Sequence, residues 1–211
     1  MEQSTYTLHL VDQSKLEQKI IIHQLPNFYK MSTANTTLTR WAIDTAHSEI
    51  LFKVRHMMVS TVTGAFNEFE GFVSSEQEDF TNAEINFSAL VSSIDTKNEQ
   101  RDEHLKSDDF FNAEAFPKMT FSSKSFEKQT DGSYLLTGDL TIRDNTREVA
   151  LTTYYHGSAV DPYGQTKAGF EISGKINRKD FGLKWGAVTE AGGVVVSDEV
   201  RLELNVQLTK Q

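Results

Sequence analysis

The chain of 211 residues has no cysteine, only three prolines and no glycine before Gly64. The missing thiols exclude a disulfide framework, a thiolate nucleophile and a thiolate-ligated metal. Positive charge is also short, with 21 Lys and Arg against 30 Asp and Glu and a formal net charge of −9. That excess repels phosphate backbones and anionic headgroups. The densest cationic stretch, Lys175 to Lys184, is interrupted by Asp180, so no nucleic-acid partner is expected. No apolar run approaches the roughly 20 residues of a transmembrane segment. Residues 1–30 offer Ile20-Ile21-Ile22 as their longest aliphatic run, short of the ~7–15 residues of a signal-peptide core. The expected location is cytoplasmic.

Catalytic and metal-binding patterns are missing as well. The six histidines, at positions 9, 23, 47, 56, 104 and 156, make no pair at i, i+3 or i+4, so no metal is expected. There is no GxSxG, GxGxxG or GxxxxGK[ST], hence no nucleophile elbow and no phosphate-cradling loop. Asp44, His47 and Ser48 hold the residue types of a triad. Five consecutive residues rarely aim three side chains at one another, and they read as a polar break in a strand. No catalytic residue and no cofactor are expected.

What remains is alternation. Ile50, Phe52 and Val54 alternate with Leu51, Lys53 and Arg55; Ile85, Phe87 and Ala89 with Glu84, Asn86 and Ser88. Phe170, Ile172, Gly174 and Ile176 alternate with Glu171, Ser173 and Lys175, and Val200 to Leu208 does the same with Arg201 to Gln207. Period two marks half-buried strands. Eight are predicted: 40–58 (broken near Ala46), 60–74, 81–92, 118–127, 133–143, 147–157, 166–179 and 195–209. Long antiparallel strands joined by hairpins favour a closed up-and-down barrel. Residues 95–116 contain no Gly or Pro, and Glu99 to Lys106 reads as a short charged helix. The first 30 residues differ in composition. Either they are an extension upstream of a natural start at Met31, or they form an accessory element. By patterning alone, the barrel is filled by side chains or holds one small ligand. Small inward candidates, Gly64, Ala89, Gly138 and Gly174, point to a channel.

Six ordered motifs carry a resemblance. Trp41-Ala-Ile-Asp-Thr-Ala-His47-Ser-Glu-Ile-Leu-Phe52-Lys-Val-Arg-His56 comes first, then Gly64-Ala-Phe-Asn-Glu-Phe69-Glu-Gly71. Ser93-Ile-Asp-Thr96 together with Arg101-Asp-Glu-His104-Leu-Lys-Ser-Asp-Asp-Phe110-Phe111 makes the third. Pro117-Lys-Met-Thr-Phe121, Leu136-Thr-Gly-Asp-Leu140-Thr-Ile142 and Asn177-Arg-Lys-Asp180-Phe-Gly-Leu-Lys-Trp185 complete the series. Together, over about residues 40–210, they resemble the YceI-like family of polyisoprenoid-binding, lipocalin-like barrels. Two positions depart from it. Asp144-Asn145 stands where the family often has Gly in a turn, and Asn112 where it often has Asp. Asn and Asp tolerate positive φ, so the turn is expected to survive.

The resemblance implies an all-β fold, an extended eight-stranded antiparallel lipocalin-like barrel with a short helical insertion, over residues 36–211. Residues 1–35 are an extension outside it. It also implies a homodimer and carriage of a polyisoprenoid, quinone-type or fatty-acyl lipid; many relatives are periplasmic. The expected apolar wall is Phe52, Val54, Phe66, Phe69, Phe87, Phe121, Leu140, Ile142, Phe170, Ile172, Ile176 and Trp185, with Phe110 and Phe111 at a barrel mouth. Arg101, Asp102, His104, Arg178 and Asp180 are the motif-borne polar residues. They either fasten the helix, with Arg101 paired to Asp102 or Asp180, or seat an anionic headgroup. Three functions stand open: a non-enzymatic carrier, an enzyme acting on such a lipid, and an interaction module with a filled barrel.

Overall fold

The computed structural model describes residues 37–187 and 195–211. The stretch 1–35, read above as an extension, lies outside them. Eleven strand segments form one antiparallel sheet. Three pairs of segments are single runs broken in the middle. β1 (Thr39–Ile43) and β2 (Glu49–His56) flank a 3-10 turn at Thr45–His47; β3 (Ser60–Phe66) and β4 (Phe69–Ser75) flank Asn67-Glu68; β5 (Glu84–Leu90) and β6 (Ile94–Asp95) flank a 3-10 turn at Val91–Ser93. A helix, α1 (Glu99–Lys106), follows. Then come β7 (Lys118–Lys128), β8 (Tyr134–Ile142), β9 (Asn145–Val160), β10 (Thr166–Asn177), a 3-10 turn at Arg178–Phe181, and β11 (Val196–Lys210). Counted as runs, these are the eight expected strands and the expected helix.

The ring runs β1-β4-β5-β7-β8-β9-β10-β11 and closes where β11 pairs back to β1, Trp41 opposite Lys210 and Ile43 opposite Leu208. Higher up the tube, β2 takes over from β1 against β11, with Phe52 opposite Leu202. The breaks let one long run change register against its neighbour. Alternation puts Val149, Leu151 and Thr153 of β9 inside, and Tyr134, Leu136, Leu140 and Ile142 of β8 beside them.

The break at residues 44–48 is built by the residues that resembled a triad. Asp44 caps the 3-10 turn through the Ala46 amide. It also accepts hydrogen bonds from Lys167 at 3.0 Å and from the Gln207 amide group at 3.2 Å, while the Ser48 hydroxyl accepts from the Gln207 backbone. Asp44 and Ser48 therefore tie the break after β1 to β10 and β11 at the ring's closure, while exposed His47 bonds only to Asp44 among the described residues. The hairpin from β8 to β9 carries a correction. Its positive φ, 58°, falls on Arg143 rather than on Asp144 or Asn145. The Arg143 guanidinium stabilises that conformation by donating to the Asp108 and Phe110 carbonyls and to the Asp108 carboxylate.

The Lys167 ammonium beside Asp44 holds its carboxyl at about 2, below the usual 3.8. A carboxylate with a depressed folded pKa stabilises the fold above its unfolded pKa, and that contribution fades as pH falls from about 4 toward 2. Asp44→Asn is expected to cost on the order of 1–2 kcal/mol at pH 7, allowing for partial exposure. Urea denaturation at pH 7, 4 and 2.5 should show the gap from wild type closing at the lowest pH. A gap independent of pH would mean that the Lys167 pair contributes nothing.

Candidate ligand-binding site

Inside the ring lies a cavity of about 360 Å³, lined almost wholly by apolar side chains from every strand of the ring. Along β11 the lining runs from Val200 through Leu202, Leu204 and Val206 to Leu208, roughly 27 Å of strand. The wall stays wide through pairs of large and absent side chains. The Phe52 ring lies over Gly64 directly opposite, the Phe121 ring over Gly138, and the Leu151 side chain over Gly174, so a Cβ at any of these glycines would strike it. The small inward residues thus do not leave holes. They let bulky neighbours lie flat against the backbone, and the bore remains free.

One end of the tube is shut. Phe80, 2% exposed, enters from the loop between β4 and β5 with φ 64°. Its ring meets Phe170 edge-on at 5.0 Å, and both face the cavity. Trp41 and Tyr155 pack behind them, at 5.1 Å from Phe80 and 5.0 Å from Phe170. Nothing in the sequence marked Phe80, which stands among the turn residues Asp79, Thr81 and Asn82.

The other end is dressed by α1 and by the segments after α1 and β10. An eight-residue helix is marginal alone, and α1 is almost entirely polar. It is capped by Asn98, whose side chain accepts from the Arg101 amide, with Glu99 and Asp102 favourably placed in its first turn. Leu105 faces the cavity. Beyond it, His104, Phe110 and Trp185 form a triangle with centroids 5.0–5.3 Å apart. Phe111 meets Phe66 edge-on at 5.9 Å.

The five motif-borne polar residues do not converge on one point. Arg101 donates to the Thr96 hydroxyl and carbonyl, both at 2.7 Å, and buried Asp102 accepts from the Thr96 amide and hydroxyl. The expected pairing of Arg101 with Asp102 or Asp180 is therefore corrected: both ends of the α1 knot close on Thr96, the last residue before the turn into the helix. Arg178, 4% exposed, is a second fastener. It donates to the carbonyls of Leu183, Trp185 and Ser197 and to the Asp198 carboxylate. Burial pulls its pKa down, and Asp198 opposes the shift. His104 meets Asp109 at 2.9 Å. Asp180 is exposed in the 3-10 turn.

Of the apolar residues expected in the wall or mouth, all but Phe69 line the cavity. Phe69 opens β4 immediately after the break at Asn67-Glu68, and its half-buried ring packs on Phe87 at 6.3 Å instead. Val149, Leu151, Thr153, Leu202, Leu204, Val206 and Leu208 also line it and were not singled out, although the alternation that places them inside was legible. Among the described residues no cluster of three or more His, Asp or Glu is placed to hold a metal ion, and no helix is long and apolar enough to cross a membrane.

A family model described as YceI-like domain matches residues 41–208. A UPF0312 protein of Staphylococcus epidermidis is 36% identical over 173 residues, 82% of this chain and 98% of that protein. A UPF0312 protein of Staphylococcus aureus is 35% identical over the same lengths. Among solved structures, a Campylobacter jejuni YCEI protein superposes with a TM-score of 0.64 at 29% identity, covering 72% of this chain and 87% of that one. A polyisoprenoid binding domain from Saccharophagus degradans gives 0.61 at 12% identity over 81% and 98%; at that identity the likeness is one of fold.

Removing the Arg178 guanidinium would leave three backbone carbonyls without their donor at the mouth. Arg178→Met is expected to cost about 3 kcal/mol, and Arg178→Lys to recover little of it, because one ammonium cannot span the same fork. Urea denaturation of both variants reads this directly; a loss under about 1 kcal/mol would reject the fastener role.

Proposed function

The chain belongs to the YceI-like family, and from that premise we propose that its barrel binds, carries or sequesters a long-chain isoprenoid or similar amphiphile without altering it chemically. The observation that carries this reading is the 360 Å³ apolar cavity running inside a closed ring. Such a space favours a long tail, since each CH₂ moved from water into it gains about 0.8 kcal/mol without specific polar contacts. The likeness in fold to a domain described as polyisoprenoid binding supports the same class of ligand.

A filled interaction module fits less well, because large side chains lie flat over Gly64, Gly138 and Gly174 instead of reaching across the bore. An enzyme would need a free acid, base or nucleophile facing the lumen. His56 lines the cavity at the tip of β2 with no acid or nucleophile bonded to it among the described residues; Arg101, His104 and Arg178 line it too, but each is engaged with protein partners. Their engagement also favours fasteners over a ready cationic headgroup seat. The homodimer implied by the family is part of the proposal and is read by sedimentation.

Ile172 faces the lumen between Thr153 and Leu204. Ile172→Trp should fill the bore at a stability cost of about 1–3 kcal/mol. Native mass spectrometry with lipid extraction is expected to find bound lipid on wild type and little on the folded variant. Equal occupancy in both would exclude the lumen as the binding site.

A further inference from the structure

The cavity contains one polar atom that its apolar character does not explain. Thr153 on β9 is 1% exposed and lines the cavity, and its hydroxyl has no hydrogen-bond partner among the described residues. A buried hydroxyl without a partner is costly, and most such groups in folded proteins are paired. Its position in the tube is well defined. It stands opposite Tyr134 on β8 and Ile172 on β10, two residues from Tyr155 in the aromatic plug. Phe126, stacked on Tyr134 at 4.6 Å, and Phe80 line the same inner end. The Tyr134 hydroxyl itself is committed to the Asp79 carbonyl at 2.7 Å.

Of the six other polar residues lining the lumen, four are bonded to protein groups and two stand elsewhere. Thr96, Arg101, His104 and Arg178 sit at the α1 end and are bonded to protein groups. Asn86 is exposed on the outer face, and His56 lies at the tip of β2. The inner end therefore offers a single neutral group that both donates and accepts, and no Lys or Arg lines the cavity there. A carboxylate or phosphate pushed to this depth would be an uncompensated charge. A hydroxyl, carbonyl or amide would meet its complement.

From this we infer that the inner end of the lumen is a subsite for an uncharged hydrogen-bonding terminus, and that the chain binds an amphiphile with a neutral oxygen directed inward against Thr153. The inference deepens the carrier reading and rests on it. It narrows the ligand class from amphiphiles in general to those with at least one neutral polar end, and it assigns that end a direction.

The test uses geranylgeraniol and the matched hydrocarbon in which hydrogen replaces its hydroxyl, each displacing a fluorescent apolar dye from the full chain. Thr153→Val keeps shape and removes the hydroxyl; Thr153→Ser keeps the hydroxyl. The expected result is that Thr153→Val weakens the alcohol about tenfold, equivalent to ~1.4 kcal/mol. The hydrocarbon should bind the variant as well as wild type or better, and Thr153→Ser should retain the alcohol's affinity. If Thr153→Val leaves the alcohol unchanged, or shifts both probes equally, the subsite is overturned while the lumen reading stands. If neither probe binds wild type, both readings fall together.

Discussion

Three residue pairs between β1 and β11, Trp41 to Ile43 against Lys210 to Leu208, turn an open sheet into a ring. Without them β1 would pair on one side only, and alternation would separate a wet face from a dry one with no enclosed space. Closure makes every second residue of each strand a wall residue. It is reinforced at its weakest point, where the first run must break to follow the tube, by Asp44 accepting from both Lys167 of β10 and Gln207 of β11. The polar residues that interrupt the first strand are therefore what allows the last strand to meet it.

The fold was legible because alternation is a local property. Phe170, Ile172 and Ile176, or Val200 to Leu208, declare their faces without reference to anything distant. The helix was legible for the opposite reason, as the stretch where alternation stops. What escaped sequence reading depends on encounters between segments far apart. Phe80 reads as a loop residue until the loop folds inward over the ring. Arg178 reads as one more surface cation until the segments at 183–185 and 197–198 wrap round it. Arg101 was expected to seek a carboxylate, as charges in sequence invite, yet a threonine hydroxyl and carbonyl one turn away satisfy it at lower desolvation cost. The glycines were read as vacancies, whereas each is the floor on which a larger neighbour rests.

The two ends of the tube solve different problems. The plugged end uses aromatic rings in edge-on contact, a dry seal that costs no polar group. The other end must stop a helix, turn a chain and close two loops, so it is rich in carbonyls that need donors. Arg143 and Arg178 supply those donors as multi-pronged guanidinium groups, which accounts for arginines near an otherwise oily cavity without any anionic ligand.

The three broken runs are neighbours, and their breaks have a shared mechanical effect. β3 is laddered to β2 along Ser60 to Ala65, but on its other side it meets β6 only at Ala65 and Phe66. Over Ser60 to Gly64 the described residues thus provide stitching along one margin alone, while β10 is laddered to both neighbours over most of its length. Stiffness around the circumference is consequently uneven. Amide protons of β3 that point away from β2 have no ladder partner to slow their exchange with deuterated solvent. Strain applied from inside the bore meets its least ladder support along this seam.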